Sequence, residues 1–380
     1  MKFPLLAAAL IFLAASATQA ADTLVYFGTY TKGKSGSEGI YVSRLDSETG
    51  KLSAPQLAAK VSNPSFVAIH PNHQFLYAVS EVSEFEGKPG GALSAFRIEP
   101  GTGNLTLLNA QSTGGGGPCH VSIDPSGRCA LIANYGGGSC ASFPIHDDGR
   151  LGEAGSFIQH TGSSINPNRQ KEPHAHSANP SPDGRYAFVA DLGTDHIQIY
   201  RLDPAAATLT PHGAATVAPG SGPRHFAIHP NGKWAWIINE MALTLTGFAY
   251  DTDAGRLTEI QSISTVPDSD RDQKGLSTAE VQVHPSGNFV YGSNRGHHTI
   301  AVFRVNAESG QLTWVENAPI HGKTPRNFGI DPSGRWLLAA GQDSDTITVF
   351  SIDPSTGALT FTGQEIAVGT PVCVKFLPLP

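Results

Sequence analysis

Short apolar runs recur along the whole chain, and turn-forming residues separate them. Some runs alternate apolar and polar positions, as at residues 347–350, and others are continuous stretches of aromatic, β-branched and small residues. Alternation with a period of two predicts half-buried β-strands, and a short continuous run bounded by turns predicts a buried strand. The pattern therefore predicts an all-β protein with many turns.

Two segments repeat within this pattern. In the first, an apolar run ends at a proline, and a Ser/Asn/Asp-Gly turn usually follows; these prolines stand at 71, 125, 182, 230, 285 and 332. In the second, which has seven copies, an apolar run with an aromatic residue leads towards a Gly-x-Leu turn, as at 300–312. Proline presets φ and glycine accepts a positive φ, so both segments predict β-turns. Repeats of roughly 50 residues with four strands, here called a to d, predict the blades of a β-propeller.

The two ends of the chain complete this count. Residues 370–378 match 324–332 and supply a seventh strand a, whereas residues 24–30 match 75–81 and supply a seventh strand b. The last blade is thus expected to combine strands from both termini, which closes the ring and removes its free edges. The prediction is one seven-bladed β-propeller of four-stranded blades, forming a single domain over residues 21–380.

Composition agrees with an all-β fold and excludes several other classes. The 380 residues include 42 Gly and 27 Pro but only 32 acidic and 25 basic side chains, too few charges for a bundle of amphipathic helices. An apolar fraction of 39%, with 18 Phe, suffices for a buried core. The net charge is −7 and no run of Lys or Arg occurs, so a nucleic-acid partner is not expected.

Residues 1–20 have the pattern of a secretory signal peptide. Lys2 is followed by an apolar stretch at 5–15, and small residues at Thr18 and Ala20 fit a cleavage site after Ala20. The mature protein is expected to be exported, to the periplasm or the medium, with no membrane attachment after cleavage. In such a compartment a local disulfide and buried free thiols both remain open for the four cysteines, Cys119, Cys129, Cys140 and Cys373.

The seven internal copies separate residues that build a blade from residues that need another reason. The start of strand a and the end of strand b lie at the same mouth of the central channel, because these strands are antiparallel. Polar side chains from successive blades converge there: His120, His176, Arg224, His225, Glu240, Glu280, Arg295, Arg326, Asn327 and Gln342. A ring of this kind predicts a site for a small anionic or carbonyl-bearing ligand.

Other chemical motifs are weaker. His174 and His176 alternate like a metal-binding pair, but no third ligand follows at a fixed spacing, so no metal is predicted. No Gly-x-Ser-x-Gly elbow of a serine hydrolase occurs. The expected site therefore requires no cofactor.

Combinations of short segments resemble one known family. They are Pro-His-Ala-His at 173–176, Gly-Pro-Arg-His-Phe at 222–226 with Ile-Asn-Glu at 238–240, Thr-Ala-Glu at 278–280 with Ser-Asn-Arg-Gly at 293–296, and Pro-Arg-Asn at 325–327. The chain resembles, over its whole mature length, the seven-bladed lactonases, which include propeller-type 6-phosphogluconolactonases and carboxy-muconate lactonizing enzymes. By position in the blade, the resemblance implies that His176, Glu240, Arg224 and Arg295 are catalytic. The six other residues of the ring are expected to bind substrate: His120, His225, Glu280, Arg326, Asn327 and Gln342.

The resemblance predicts hydrolysis of a sugar-acid lactone. Glu240 or His176 would act as general base and the other as acid, while Arg224 and Arg295 hold the oxyanion or a substrate anion. A phosphorylated sugar lactone is a cytosolic metabolite, so export favours an aldonolactone without phosphate. Two alternatives stay open: a cycloisomerase acting on a muconate-type diacid, and a non-catalytic propeller that binds a protein or a sugar. A closed ring needs no partner subunit, so a monomer is expected.

Overall fold

A computed structural model describes residues 22–33 and 35–379. The predicted signal peptide at 1–20 lies outside these described residues. They form seven four-stranded antiparallel sheets and one small two-stranded hairpin. The single helical turn among them is a 3₁₀ turn at Asp268–Asp270. In the part of the chain that is described, no helix has the length and apolar character needed to cross a membrane.

The strands follow the predicted order in every blade. The closing blade contains β1 (Thr23–Thr29), β2 (Gly39–Leu45) and β3 (Gln56–Lys60). The second blade contains β4 (Val67–Ile69), β5 (Phe75–Ser80), β8 (Ala92–Ile98) and β9 (Leu105–Ser112), and the small hairpin of β6 (Glu84–Phe85) and β7 (Lys88–Pro89) is inserted between β5 and β8. The third blade contains β10 (Pro118–Ile123), β11 (Cys129–Asn134), β12 (Ser139–Pro144) and β13 (Ser156–Gln159). The fourth blade contains β14 (Ala175–Pro180), β15 (Tyr186–Asp191), β16 (His196–Asp203) and β17 (Thr208–Thr216). The fifth blade contains β18 (Pro223–Ile228), β19 (Trp234–Asn239), β20 (Thr244–Asp251) and β21 (Arg256–Ser264), and the sixth contains β22 (Ser277–Val283), β23 (Phe289–Arg295), β24 (Thr299–Val305) and β25 (Leu312–Pro319). The seventh blade in chain order contains β26 (Pro325–Ile330), β27 (Trp336–Gly341), β28 (Thr346–Ile352) and β29 (Leu359–Ala367). The last strand, β30 (Pro371–Pro378), joins the closing blade.

The ring closes as the sequence predicts. Strand β30 pairs antiparallel with β1 and becomes the innermost strand of the blade β3-β2-β1-β30. The paired residues include Leu24 with Leu377 and Phe27 with Val374, all of them buried. Apolar side chains from neighbouring blades pack together in clusters around the ring. The prediction of a seven-bladed propeller with a shared closing blade is confirmed.

Repeated turns also connect three of the blades to their neighbours. In three blades a histidine precedes the turn proline, and its ring Nε2 lies 2.7 to 3.0 Å from a glycine carbonyl oxygen in the neighbouring blade. These pairs are His70 with Gly127, His229 with Gly287 and His284 with Gly334. The glycines have φ of 74° to 78°, which a residue with a Cβ rarely adopts. The repeats therefore fix both the blade and the blade interface.

All four cysteines are buried free thiols. Burial raises the pKa of Cys129 and of Cys140 to about 12, so these thiols stay protonated near neutral pH. The sequence left a local disulfide and buried free thiols open, and the structure has buried free thiols.

Candidate active site

A β-bulge at the start of strand a directs side chains into the channel. In five blades the pairing of strand a with strand b skips one residue, which is left without an opposite partner. A bulge of this kind bends the strand and redirects a side chain, and bulges are common next to active sites. The skipped residues are Cys119, His176, Arg224, Arg326 and Val372. Their side chains lie in or directly below the channel mouth.

A chamber of about 290 Å³ occupies this mouth and is called the mouth chamber here. Six of the seven blades contribute to it. Its lining residues are Glu81, Cys119, Tyr135, Arg169, His176, Glu240, Arg295 and Arg326. Four of the ten residues predicted for the site therefore lie in its wall, and a fifth, Arg224, lies below it against Glu240.

Glu240 is the centre of an ion cluster. Its carboxylate accepts hydrogen bonds from Arg169 Nη2 at 2.7 Å and from Arg224 Nε at 3.0 Å, and Arg295 Nη2 lies 2.9 Å away. Burial by itself would raise the pKa of Glu240, but the three guanidinium charges outweigh burial and lower it to about 2. Glu240 is therefore a permanent carboxylate that holds the arginines in place.

Arg326 differs from the other arginines of the cluster. Its guanidinium lies 5.5 Å from the centre of the Tyr30 ring, and it forms no hydrogen bond or ion pair with any described residue. The Tyr30 hydroxyl donates instead to Glu81 Oε2 at 2.9 Å. Around the chamber, four guanidinium groups face the carboxylates of Glu81 and Glu240, which leaves an excess of two positive charges. This arrangement favours a ligand that is, or becomes, negatively charged.

His176 is held as a neutral imidazole. It is 4% exposed, and burial together with the charge of Arg224 keeps its pKa well below the usual value of 6.5. Its Nδ1 lies 3.6 Å from Cys119 Sγ, and the edge of the Tyr135 ring packs against it with 5.2 Å between the centroids. A neutral ring nitrogen beside a polar chamber can accept a proton from water.

The other predicted residues lie deeper. His120, His225 and Glu280 line a second chamber of about 460 Å³, called the basal chamber, which runs towards the opposite end of the channel and is also lined by Lys375. Asn327 is buried beside Glu280 and donates through Nδ2 to Glu280 Oε2. The sequence predicts that these polar side chains form one ring at a single depth of the channel, and this prediction is wrong. Successive residues of strand a project to different levels, so the side chains are divided between two chambers.

Gln342 lies apart from both chambers, and its amide donates to Asp343 Oδ1 at 3.2 Å. The expected contacts of substrate with Gln342 and with the four deeper residues remain predictions. The same holds for the catalytic roles of the residues around the mouth chamber.

Arg169 is a member of the site that the sequence prediction missed. It lies in the connection between β13 and β14, at residues 160–174, outside the repeated segments. Its Nη2 also donates to the Tyr135 hydroxyl at 3.0 Å. The length of this connection could have indicated a role in the site. Connections from strand d to strand a cross the mouth face, and this one is among the longest. Glu81 and Tyr135 follow strand b in their blades, as Glu240 does.

No group of three or more His, Cys, Asp or Glu side chains in the described ranges is arranged to hold a metal ion. The Nδ1 of His174 is already occupied, since it lies 3.0 Å from the Tyr135 carbonyl oxygen. Its ring stacks on the Tyr135 ring at 4.6 Å.

Fold and site together define a β-propeller enzyme with a polar pocket at one end of its channel. The family model for "Lactonase, 7-bladed beta-propeller" matches residues 24–376. A 6-phosphogluconolactonase of Bacillus subtilis is 41% identical over 352 residues, which cover 93% of this chain and 97% of the relative.

Solved structures agree with this match. A periplasmic gluconolactonase of Pseudomonas aeruginosa has a TM-score of 0.88 and 33% identity, covering 95% of this chain and all of that one. A protein of Bacteroides fragilis described as a putative 6-phosphogluconolactonase has a TM-score of 0.87 and 37% identity, covering 95% and 99%. The chain belongs to the seven-bladed β-propeller lactonase family, and its enzyme class is lactone hydrolase.

Proposed function

We propose that this chain is an exported, 6-phosphogluconolactonase-like lactonase that hydrolyses a sugar-acid lactone by metal-independent acid–base catalysis in the mouth chamber. One observation carries the proposal: a neutral imidazole, His176, and a guanidinium without a hydrogen-bond partner, Arg326, line the same chamber. Opening a lactone requires a base that activates water and a positive group that stabilises the tetrahedral oxyanion. The two residues supply these groups.

The reaction balances with these groups. A ring nitrogen of His176 takes a proton from water while the water oxygen bonds to the lactone carbonyl carbon, and negative charge moves to the carbonyl oxygen beside Arg326. The bond between this carbon and the ring oxygen then breaks, and the alkoxide takes the proton from His176. The carboxylic acid product ionises and releases one proton. Because charge develops along this path, the excess of two positive charges stabilises the transition state more than the neutral lactone.

Glu240 has a different role in this scheme. Both oxygens of the Glu240 carboxylate already accept hydrogen bonds from guanidinium groups, so neither is free to take a proton from water. Glu240 therefore positions Arg295 and Arg224, and His176 is the base. Arg295 also donates through Nη2 to the Thr278 carbonyl oxygen at 2.8 Å, which fixes its guanidinium at the chamber wall.

The proposed substrate is an aldonolactone without phosphate, such as gluconolactone formed outside the inner membrane. The signal-peptide pattern at 1–20 supports export, and one relative is described as a periplasmic gluconolactonase. The relative from Bacillus subtilis is described as a 6-phosphogluconolactonase, so both lactones belong in the test. We propose a periplasmic monomer, since both terminal strands are consumed in closing the ring.

Titration of released acid by pH-stat tests the proposal, with gluconolactone, other aldonolactones and 6-phosphogluconolactone as substrates. Wild type should exceed the spontaneous rate on at least one lactone, and H176A should lose most of this excess. H146Q, which changes an exposed histidine, is the matched control and should retain it. Wild-type rates equal to the spontaneous rate on the whole panel would exclude the hydrolase.

A muconate-type cycloisomerase is the second candidate, because the excess of two positive charges also suits a dicarboxylate. Cycloisomerisation of a conjugated diacid removes ultraviolet absorbance and releases no net acid. Loss of absorbance with muconates, together with no acid release from lactones, would select this alternative. If lactones release no acid and muconates lose no absorbance, the remaining candidate is a non-catalytic binding propeller.

A further inference from the structure

The basal chamber is separated from the mouth chamber by a constriction of the channel. A void of about 10 Å³ lies there, and it shares Glu81 and Arg326 with the mouth chamber and Phe66 and His225 with the basal chamber. A void of roughly 10–15 Å³ holds no more than a single water. A ligand in the basal chamber is therefore separate from a substrate in the mouth chamber.

The repeat allows a comparison of the seven blades at the depth of the basal chamber. Each blade places the residue three positions before its strand-a proline in the wall of this chamber or of an adjoining pocket. In the closing blade this residue is Lys375, which precedes Pro378. The charge of Lys375 needs a reason outside the blade repeat, because the other six blades have uncharged residues at this position. These are Ala68, Ser122, Asn179, Ala227, Gln282 and Gly329.

Two of the uncharged polar residues connect neighbouring blades. Ser122 Oγ donates to the Ala178 carbonyl oxygen at 2.6 Å. Gln282 donates through Nε2 to the Phe328 carbonyl oxygen at 2.6 Å and accepts from the Ile330 backbone N–H at 3.1 Å. Both side chains thus join strand a of one blade to strand a of the next, which is a structural role.

Lys375 has no such contact. Within residues 22–33 and 35–379, its ammonium group forms no hydrogen bond and no ion pair, and it lies 4.7 Å from the centre of the Phe66 ring. A cation–π contact attracts the charge but supplies no acceptor oxygen to the three N–H donors. The carboxylate of Glu280 is engaged elsewhere, because it accepts from Asn327 Nδ2 and lies 3.1 Å from His225 Nδ1. The N–H donors of Lys375 are therefore available to a ligand.

His120 supplies a second donor close to Lys375. Its ring also packs on Phe66, with 4.4 Å between the centroids, and it lines the basal chamber. Burial, together with the neighbouring His225, keeps the pKa of His120 well below 6.5, so the imidazole is neutral near pH 7. Its Nδ1 accepts from the Ala178 backbone N–H at 3.4 Å, which places the ring proton on Nε2.

A ring of apolar side chains follows one residue further along strand a. Because strand a runs from the mouth towards the opposite end of the channel, this ring lies outside Lys375. An apolar group that covers the ring removes apolar surface from water, which favours its binding. The members that line the basal chamber or the adjoining pocket are all partly exposed, and they are Ile69, Ile123, Ile228, Val283, Ile330 and Phe376.

We propose that the basal chamber is a second ligand site, which binds a small monocarboxylate with an apolar body. The carboxylate accepts hydrogen bonds from Lys375 Nζ and His120 Nε2, and the apolar body covers the ring outside them. A single positive charge beside the carboxyl group of Glu280 suits a monoanion better than a phosphate dianion. The proposal goes beyond lactone hydrolysis and does not depend on it, since binding requires no turnover.

Calorimetric titration of the purified protein with benzoate tests the site, because benzoate joins one carboxylate to an apolar ring. K375M keeps the length of the side chain and removes its charge, so it should weaken benzoate binding about tenfold or more. K375R keeps the charge and should stay within about threefold of wild type. K51M removes an exposed lysine outside the chamber and is the matched control, with an affinity within about twofold of wild type.

Two further variants locate the bound carboxylate. H120F keeps a ring of similar size and removes the Nε2–H donor, so it should weaken benzoate binding about threefold or more. R326Q changes the mouth chamber and should bind benzoate as wild type does. Phosphate and gluconate should bind more weakly than benzoate, since phosphate carries a second charge at neutral pH and gluconate lacks an apolar body.

The proposal fails if wild type binds no benzoate at millimolar concentration, or if K375M binds it as tightly as wild type. H120F gives the same answer should K375M fold poorly. A loss of binding in R326Q but not in K375M places the anion in the mouth chamber and also overturns the site. Phosphate or gluconate that binds as tightly as benzoate overturns the ligand class. Wild type that opens no lactone overturns only the proposed function, so the two failures are distinguishable.

Discussion

Replacing Glu240 with glutamine tests whether this carboxylate anchors the arginine cluster. Glu240 is 5% exposed, and its folded pKa of about 2 lies below the ordinary value of 4.5. Each pKa unit corresponds to about 1.4 kcal/mol, so the carboxylate contributes on the order of 3 kcal/mol to folding at neutral pH. Glutamine also leaves the charge of Arg224, which is 2% exposed, facing Arg295 without compensation. We therefore expect E240Q to lower the free energy of unfolding by about 3 to 5 kcal/mol.

The pH dependence identifies the cause. Because the folded pKa is below the unfolded one, the contribution is complete above pH 4.5 and is lost as the pH falls towards 2. The difference between wild type and E240Q, measured by urea unfolding, should shrink by about 2 kcal/mol between pH 7 and pH 3. E153Q, which changes an exposed glutamate, should stay within about 0.5 kcal/mol of wild type. A difference that is equally large at both pH values would refute the electrostatic argument.

Three further outcomes are expected. H176Q should lower kcat by about 10²- to 10⁴-fold with little change in KM, since it removes the base; a loss below fivefold contradicts this role. R326Q should lower kcat/KM by about 10²- to 10³-fold but change the free energy of unfolding by less than about 1 kcal/mol, because no carboxylate pairs with this guanidinium; unchanged kcat/KM excludes it as the oxyanion donor. The pKa values of buried His120, His176 and His225 are lowered, so the unfolded chain binds protons below pH 6.5 that the folded chain does not. As the pH is lowered from 6.5 to 5, the free energy of unfolding should then fall by up to about 1.4 kcal/mol per pH unit for each histidine. Glu280, whose pKa is raised by burial, offsets the effect of at most one histidine. A free energy of unfolding that stays constant or rises over this pH decrease in wild type contradicts the prediction.

The fold was predictable because every level of the repeat points to the same structure. Apolar runs, Pro-x-Gly turns and Gly-x-Leu turns recur in register, and seven copies leave little ambiguity about strand order. Closure was predictable as well, because residues 370–378 carry the strand-a pattern with no partner nearby in sequence. A single blade would have given a much weaker signal, since one apolar run fits several structures.

The site was only partly predictable, because sequence position does not determine depth along the channel. Arg224 and His225 are adjacent in sequence, yet the bulge sends one towards Glu240 and the other towards Glu280. A bulge changes no residue type and so leaves no mark in the repeat pattern. The sequence prediction missed Arg169 for another reason, because the long connection that contains it has no equivalent in the other blades with which it could be compared.

The bulge explains how one blade design can serve both stability and chemistry. It recurs at the same place in strand a of five blades, so the backbone of each of these blades presents one side chain towards the mouth at no cost to the ladder beyond it. Cys119, His176 and Arg326 occupy equivalent positions, and they differ fully in chemistry. The strands behind them keep their buried apolar residues, so these positions can vary without disturbing the core. A substitution there should therefore change the reaction or the substrate before it changes the fold, except where, as at Glu240 and Arg224, the side chains hold each other in place.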